Sequence, residues 1–242
     1  MMETVMQERR NLEMKSPELW TRVAETIAQY DLLQHPFYRA WSKGELTRDQ
    51  LAFYGQQYGE HVSAFPAYLT RLHSRLPDGS VRKAILLNAA EEEIHGRSHA
   101  DLWKQFAEGI GTPAANAETP AKTEILDEVR DLVGTFRDIA ERASLPEALG
   151  AFYAYESQVP RIAQEKLAGL TKFYGASART GEYFSVHVTA DVHHSAVWRK
   201  LIDDSIEQSP ARAEEVLSGV TRAAGALWKA LDGIETARSA IA

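Results

Sequence analysis

The sequence predicts an all-α bundle of seven or eight helices. Two observations carry this reading: every long segment places its apolar residues at helical spacing, and strand-type alternation is absent. No repeat with a period of about 20 to 50 residues recurs, which argues against a stacked solenoid. At 242 residues the chain could form one large domain or two small ones. The stretch 109–120, rich in Gly, Ala, Pro and Thr, is the one plausible linker, yet candidate site residues lie on both sides of it. It therefore reads as a surface loop inside a single domain, 1–242, with a flexible N-terminus over about 1–15.

Each element has its own signal. Ser16-Pro17 starts the first helix as N-cap and first helical residue, and Leu19, Trp20, Val23 and Ile27 form its apolar stripe. Gln34-His35-Pro36 opens a short helix that Gly44 closes. Thr47 with Gln50 forms a capping box for a long helix through Leu51, Tyr54, Tyr58, Val62, Phe65 and Leu69, which Pro66 should kink. After Pro77-Asp78-Gly79, one helix is expected from about Val81 to Ala107, and another from Ala121 to about Ala140. Ser144 and Glu147 suggest a second capping box, starting the helix that carries Glu156. A helix from about Ala176 to Asp203 follows, and Ser209-Pro210 should cap the last one, with Val216, Val220, Leu227, Leu231 and Ile234 on its apolar face.

Composition excludes several classes of function. There is no cysteine, so thiol nucleophiles, disulfides and Cys-ligated zinc or iron-sulfur sites are ruled out, and any metal must sit among nitrogen and oxygen donors. A formal charge of -7, with 27 Lys and Arg forming no long run, argues against a nucleic-acid partner. Hydrophobic residues make up 44% and charged residues 25%, ordinary for a soluble domain, and no segment has the apolar length of a membrane span. The first residues lack a secretory h-region, so cytoplasmic residence is the default expectation.

Three stretches carry the chemistry. In HVTADVHH, helical geometry brings His187, Asp191 and His194 within roughly 60° of one another, while His193 points about 120° from His187 and should be a bystander. The plainer alternative is an exposed polar face. In EEEIHGRSH, Glu92 and His99 lie two turns apart on the stripe of Ile85, Ala89, Leu102 and Phe106, where an unpaired carboxylate would be costly. Glu92-x-x-His95 also matches the spacing of ferritin-like sites, so spacing leaves His95 and His99 as rivals. In YAYESQVP, Glu156 is the lone carboxylate of an apolar and aromatic run, and Pro160 deprives its carbonyl of a helical partner, so the helix should bend there. Three imidazoles and three carboxylates directed inward can hold two transition metals. Tyrosines cluster in the same stretches, at Tyr38, Tyr54, Tyr58, Tyr153, Tyr155 and Tyr183, and most read as core residues with hydrogen-bonded hydroxyls.

The blocks HPFYRAWSKGEL, FPAYLTRLHSRL, HADLWKQF, YESQVPRIAQEKLAGLTKFYG and HVTADVHH together resemble the family of the chlamydial protein associating with death domains (CADD). That family is a branch of the heme-oxygenase-like di-metal oxidases related to PqqC and TenA. The resemblance runs from about Tyr30 to Asp204; stretch 109–149 matches weakly and a Cys-rich tail is missing. It implies a heme-oxygenase-like (TenA/PqqC-like) bundle and a dinuclear site ligated by Glu92, His99, Glu156, His187, Asp191 and His194, which favours His99 over His95. The implied metals are Fe/Fe or Mn/Fe, with O2 as co-substrate, an external reductant and a homodimeric assembly. The implied activity is synthesis of para-aminobenzoate for folate, in which Tyr38 of the chain supplies the ring and Lys166 the amino group, with Tyr155 and Tyr183 near the site. Two alternatives stand beside this reading: a dimetal or PqqC-like oxidase acting on a separate small molecule, and a protein-interaction module. Thiaminase chemistry of the TenA kind is disfavoured, because it needs a cysteine nucleophile.

Overall fold

A computed structural model describes residues 16–94, 96–111 and 124–241. These residues form ten α-helices: α1 (Ser16–Gln29), α2 (Pro36–Lys43), α3 (Arg48–Ser74), α4 (Ser80–Glu93), α5 (His99–Ile110), α6 (Asp127–Arg142), α7 (Leu145–Glu156), α8 (Val159–Phe173), α9 (Glu182–Gln208) and α10 (Ala213–Arg238). Among the described residues there is no strand, and no helix is long and apolar enough to cross a membrane. Most of the expected loop 109–120, and the N-terminal stretch 1–15, lie outside the described residues.

The helix count exceeds the expected seven or eight because two expected helices are broken. The segment read as one helix from Val81 to Ala107 stops at Glu93 and restarts at His99. Gly96 adopts a left-handed φ of 87°, and Ser98 caps the new helix by accepting the Asp101 N–H at 3.1 Å. Glu92 and His99 therefore belong to different helices and meet across a turn. The bend expected at Pro160 is likewise a full break: α7 ends at Glu156 and α8 begins at Val159, with the Gln158 amide donating to the Ala154 carbonyl at 2.9 Å.

Caps at Gly44 and Thr47 match the sequence reading: Gly44 has a left-handed φ of 73°, and the Thr47–Gln50 box is closed from both sides. Two others differ. Ser144 accepts the Glu147 N–H, but the Glu147 carboxylate turns to Arg222 at 2.7 Å and leaves the box open. Ser209 makes no side-chain cap, and a 3-10 turn over Pro210–Arg212 leads into α10.

The apolar faces meet as the periodicity requires. Leu51, Tyr54, Tyr58, Val62, Phe65 and Leu69 of α3 are all buried, as are Val216, Val220, Leu227, Leu231 and Ile234 of α10. Helix α10 runs against α7, α6 and α1, α9 against α8 and α7, and α3 against α4, α5 and α6. One close crossing matters for function. A Cβ on Gly169 of α8 would stand 2.7 Å from Trp41 Cδ1 of α2, and the Trp41 indole donates to the Lys166 carbonyl at 3.1 Å. His35 fixes the start of α2: its Nδ1 accepts the Phe37 N–H at 3.1 Å, while Nε2 faces Asp232 of α10 at 3.0 Å. Tyr38 is thus held from both sides.

His61 of α3 is fully buried with both ring nitrogens unpartnered, its ring 4.8 Å from Phe136 and 5.0 Å from Tyr155. Burial lowers its pKa to about 3. The unfolded chain then binds a proton that the folded chain refuses, so this stability is complete above pH 6.5 and is lost as pH falls towards 3. Chemical denaturation of the protein between pH 7 and 4 should show a loss of roughly 1.4 kcal/mol per pH unit from this group, and His61→Leu should flatten that part of the slope. An unchanged slope in His61→Leu would reject the assignment.

Candidate metal centre

The six residues singled out as ligands converge. Glu92 comes from the last turn of α4, His99 from the first position of α5, Glu156 from the end of α7, and His187, Asp191 and His194 from one face of α9. None is more than 5% exposed, whereas His193 is exposed, as its angle on the helix requires. Donor atoms of Glu92, His99 and His187 lie within 4.8 Å of one another, and so do those of Glu92, Glu156 and His194. Glu92 is common to both groups. Asp191 stands beside them, its Oδ1 3.1 Å from His194 Nδ1. His95, the rival of His99, lies outside the described residues.

The donor set fits transition metals. His99 Nδ1 is 2.7 Å from Glu92 Oε2; burial opposes the charged ring, but the Glu92 carboxylate outweighs it and raises the His99 pKa. His187 Nδ1 faces the Tyr183 carbonyl at 2.7 Å, which fixes that nitrogen as the N–H donor and leaves Nε2 free as a ligand. Burial, helped by neighbouring His99, lowers the His187 pKa to about 3, so the ring is neutral. His194 is the opposite case. Burial opposes its charged form, but hydrogen bonds donated to the Asp191 and Glu156 carboxylates outweigh burial and raise its pKa. Burial also pushes the Asp191 carboxyl up. Metal binding to such a cluster competes with protons for the same nitrogen and oxygen atoms. Nitrogen and carboxylate donors without sulfur suit iron or manganese.

Sequence reasoning missed the residues that orient these ligands. Asn88 donates to Glu156 Oε1 at 3.0 Å, and the Trp198 indole donates to Glu156 Oε2. Each lies four residues from a ligand on its own helix, Asn88 before Glu92 and Trp198 after His194, and that spacing was the available signal. Glu91, which begins the EEEIHGRSH stretch, also reaches the site: its Oε2 is 2.6 Å from His194 Nε2.

A second pocket adjoins the first. Lys166 is 5% exposed and its Nζ donates to the Tyr54 hydroxyl at 2.5 Å. Tyr54 in turn pairs with the Tyr38 hydroxyl at 3.0 Å, and Lys166 Nζ lies 4.4 Å from the centroid of the Tyr38 ring. Burial lowers the Lys166 pKa well below its ordinary value and raises those of Tyr38 and Tyr54. Six aromatic rings surround Nζ within 5.9 Å. With no other cause opposing it, burial among these rings disfavours the ammonium form of Lys166. Tyr155 and Tyr183 line both the cavity beside Lys166 and Tyr38 and the cavity beside Glu92, Glu156 and His187. They form the wall between the two.

A family model described as an iron-containing redox enzyme matches residues 52–228. A 4-aminobenzoate synthase from Nitrosomonas europaea is 42% identical over 224 residues, 88% of this chain and 89% of that protein. The 4-aminobenzoate synthase of Chlamydia trachomatis is 39% identical over 197 residues, 81% of this chain and 84% of that protein. The chain belongs to the iron-containing redox enzyme family, in its 4-aminobenzoate synthase branch. Its fold is heme-oxygenase-like: a domain of unknown function with that fold from Shewanella denitrificans superposes with a TM-score of 0.75 at 15% identity, covering 93% of this chain and 94% of that one.

If the six residues are the family's ligands, metal analysis of the loaded protein should give about two ions per chain, one for each donor group. Glu156→Ala and His194→Ala should each lose at least one ion with little change in helix content, and His193→Ala should keep both. Full occupancy in Glu156→Ala or His194→Ala would overturn the assignment.

Proposed function

We propose that this protein makes 4-aminobenzoate by consuming itself, with the Tyr38 side chain as the source of the ring and Lys166 as the source of the amino nitrogen. One observation carries the reading: a buried amine sits 4.4 Å from the centroid of the Tyr38 ring, in a cavity that shares two walls with the metal centre. The activity named for the Nitrosomonas and Chlamydia relatives supports it.

The carbon skeleton of tyrosine suits this product. Its Cβ and its oxygen-bearing ring carbon stand para to each other, as the carboxylate and amine do in 4-aminobenzoate. Conversion requires the Cα–Cβ bond to break, Cβ to be oxidised to a carboxylate at the expense of O2, the Lys166 Nζ–Cε bond to break, and that nitrogen to replace the phenolic oxygen, which leaves as water. Two metal ions, Fe/Fe or Mn/Fe, would supply activation of O2 with electrons from an external reductant.

The chain's own residues do the positioning. Because Tyr38 is attached to the backbone, it needs no substrate-binding step, and the His35 cap and the α2–α8 crossing at Gly169 hold it in place. Tyr54 bridges Tyr38 and Lys166, keeping the amine against the ring. The surrounding aromatic side chains exclude water and disfavour the ammonium form of Lys166, which favours the state in which its nitrogen has a free electron pair.

Protein made with ring-labelled tyrosine and nitrogen-labelled lysine should release doubly labelled 4-aminobenzoate, at most one molecule per chain. Tyr38→Phe and Lys166→Arg should release none while keeping their metal, the latter because a guanidinium stays protonated and does not give up an amine. Multiple turnovers by Tyr38→Phe, or unlabelled product from labelled protein, would instead favour an oxidase acting on a diffusible substrate.

A further inference from the structure

All six candidate ligands are at most 5% exposed, so a metal ion must cross protein to reach them. Three cavities border this region, and they differ in what they offer a cation. The cavity at Glu92, Glu156 and His187 is closed on its other side by buried Val62 and Phe65. The cavity at Lys166 is walled by Leu32, Ile162, Phe184 and tyrosines, and a hydrated dication passing there would lose water without gaining carboxylate or imidazole ligands. The third is a cleft between α4 and α9, lined by Leu87, Asn88, Glu91, His193, His194 and Val197 among others.

That cleft has the required gradient of donors. At its mouth Leu87 is 63% exposed and His193 is exposed. The Glu91 side chain is 37% exposed, and its Oε2 lies 2.6 Å from Nε2 of His194, a residue only 3% exposed. On the far side of the same ring, Nδ1 is 3.5 Å from Glu156 Oε1. Glu91 is not in either converging donor group, so it stands outside the centre and in line with it.

We propose that divalent metal reaches the centre through the α4–α9 cleft, with the Glu91 carboxylate as a transit ligand that passes the ion to His194. The inference rests on the assignment of the buried donors as a metal centre. Glu91 exchanges for part of the ion's water shell where solvent is still present, and the ion then displaces the Glu91–His194 hydrogen bond on its way inward. Glu91 is therefore a kinetic element of loading and not a resident ligand. His193 shares the cleft wall, which gives an exposed imidazole next to a ligand a role that leaves final occupancy unchanged.

The test is the rate of cobalt(II) uptake by metal-free full-length protein, followed by visible absorbance after rapid mixing, with metal content measured at the end point. Glu91→Gln should slow uptake by about tenfold or more and still reach wild-type occupancy, because removing a steering carboxylate acts on the on-rate. Glu91→Asp should recover part of the rate, and Val197→Trp, which fills the cleft, should slow loading independently of charge. Glu93→Gln, one of the neighbouring exposed charges of the same sign, should load like wild type. Three results would overturn the proposal: a wild-type rate in Glu91→Gln, equal slowing in Glu93→Gln, or fewer ions at the end point in Glu91→Gln. Wild-type protein that takes up no cobalt would instead remove the metal centre itself, and the route with it.

Discussion

Three carboxylates and three imidazoles meet in the interior of this bundle, where an ionised group without a partner costs several kcal/mol. How that cluster is neutralised governs much of the rest of the structure. Its members come from α4, α5, α7 and α9, so satisfying them ties four helices to a common point. Both unexpected helix breaks lie at this point: α4 ends one residue after Glu92 and α5 begins at His99, while α7 ends at Glu156. A continuous helix through Glu92 and His99 would hold them two turns apart; the turn at Gly96 brings His99 Nδ1 to 2.7 Å from Glu92. The orienting bonds from Asn88 and Trp198 then fix Glu156 against the same centre.

The neighbouring pocket handles a buried ionisable group in the contrary way. Among the described residues no carboxylate pairs with Lys166; aromatic rings and the Tyr54 hydroxyl surround it, and burial disfavours its charged form. In one compartment charge is gathered and offset, and in the other it is excluded. Tyr155 and Tyr183 form the partition, and Tyr183 also receives the His187 Nδ1–H at its carbonyl, linking the partition to a ligand. This division suits a reaction in which an electrophilic oxidation centre and a nucleophilic amine must coexist without quenching each other.

Much of this was legible in the sequence because it rests on helical periodicity. The shared face of His187, Asp191 and His194, the outward angle of His193 and the apolar setting of Glu156 all follow from residues a few positions apart. What periodicity does not encode is contact between distant segments. Asn88 reaches Glu156 across 68 positions and Lys166 reaches Tyr54 across 112, so local sequence does not name either partner, although Asn88 stands one turn before Glu92. Gly96 shows a second limit: a glycine inside a helical pattern can be tolerated or can end the helix, and here the left-handed turn ends it. The choice of His99 over His95 rests on family resemblance alone, since spacing leaves the two as rivals.

The central claim is that the chain is its own substrate, and the site of loss can be read directly. Metal-loaded protein prepared without oxygen, then exposed to it with reductant, can be digested and its peptides compared by mass spectrometry with an unexposed sample. If Tyr38 supplies the ring, the peptide containing it loses the tyrosine side chain in proportion to the 4-aminobenzoate released, while peptides containing Tyr155 and Tyr183 stay intact. Release of 4-aminobenzoate from a chain whose Tyr38 peptide is unaltered would contradict it.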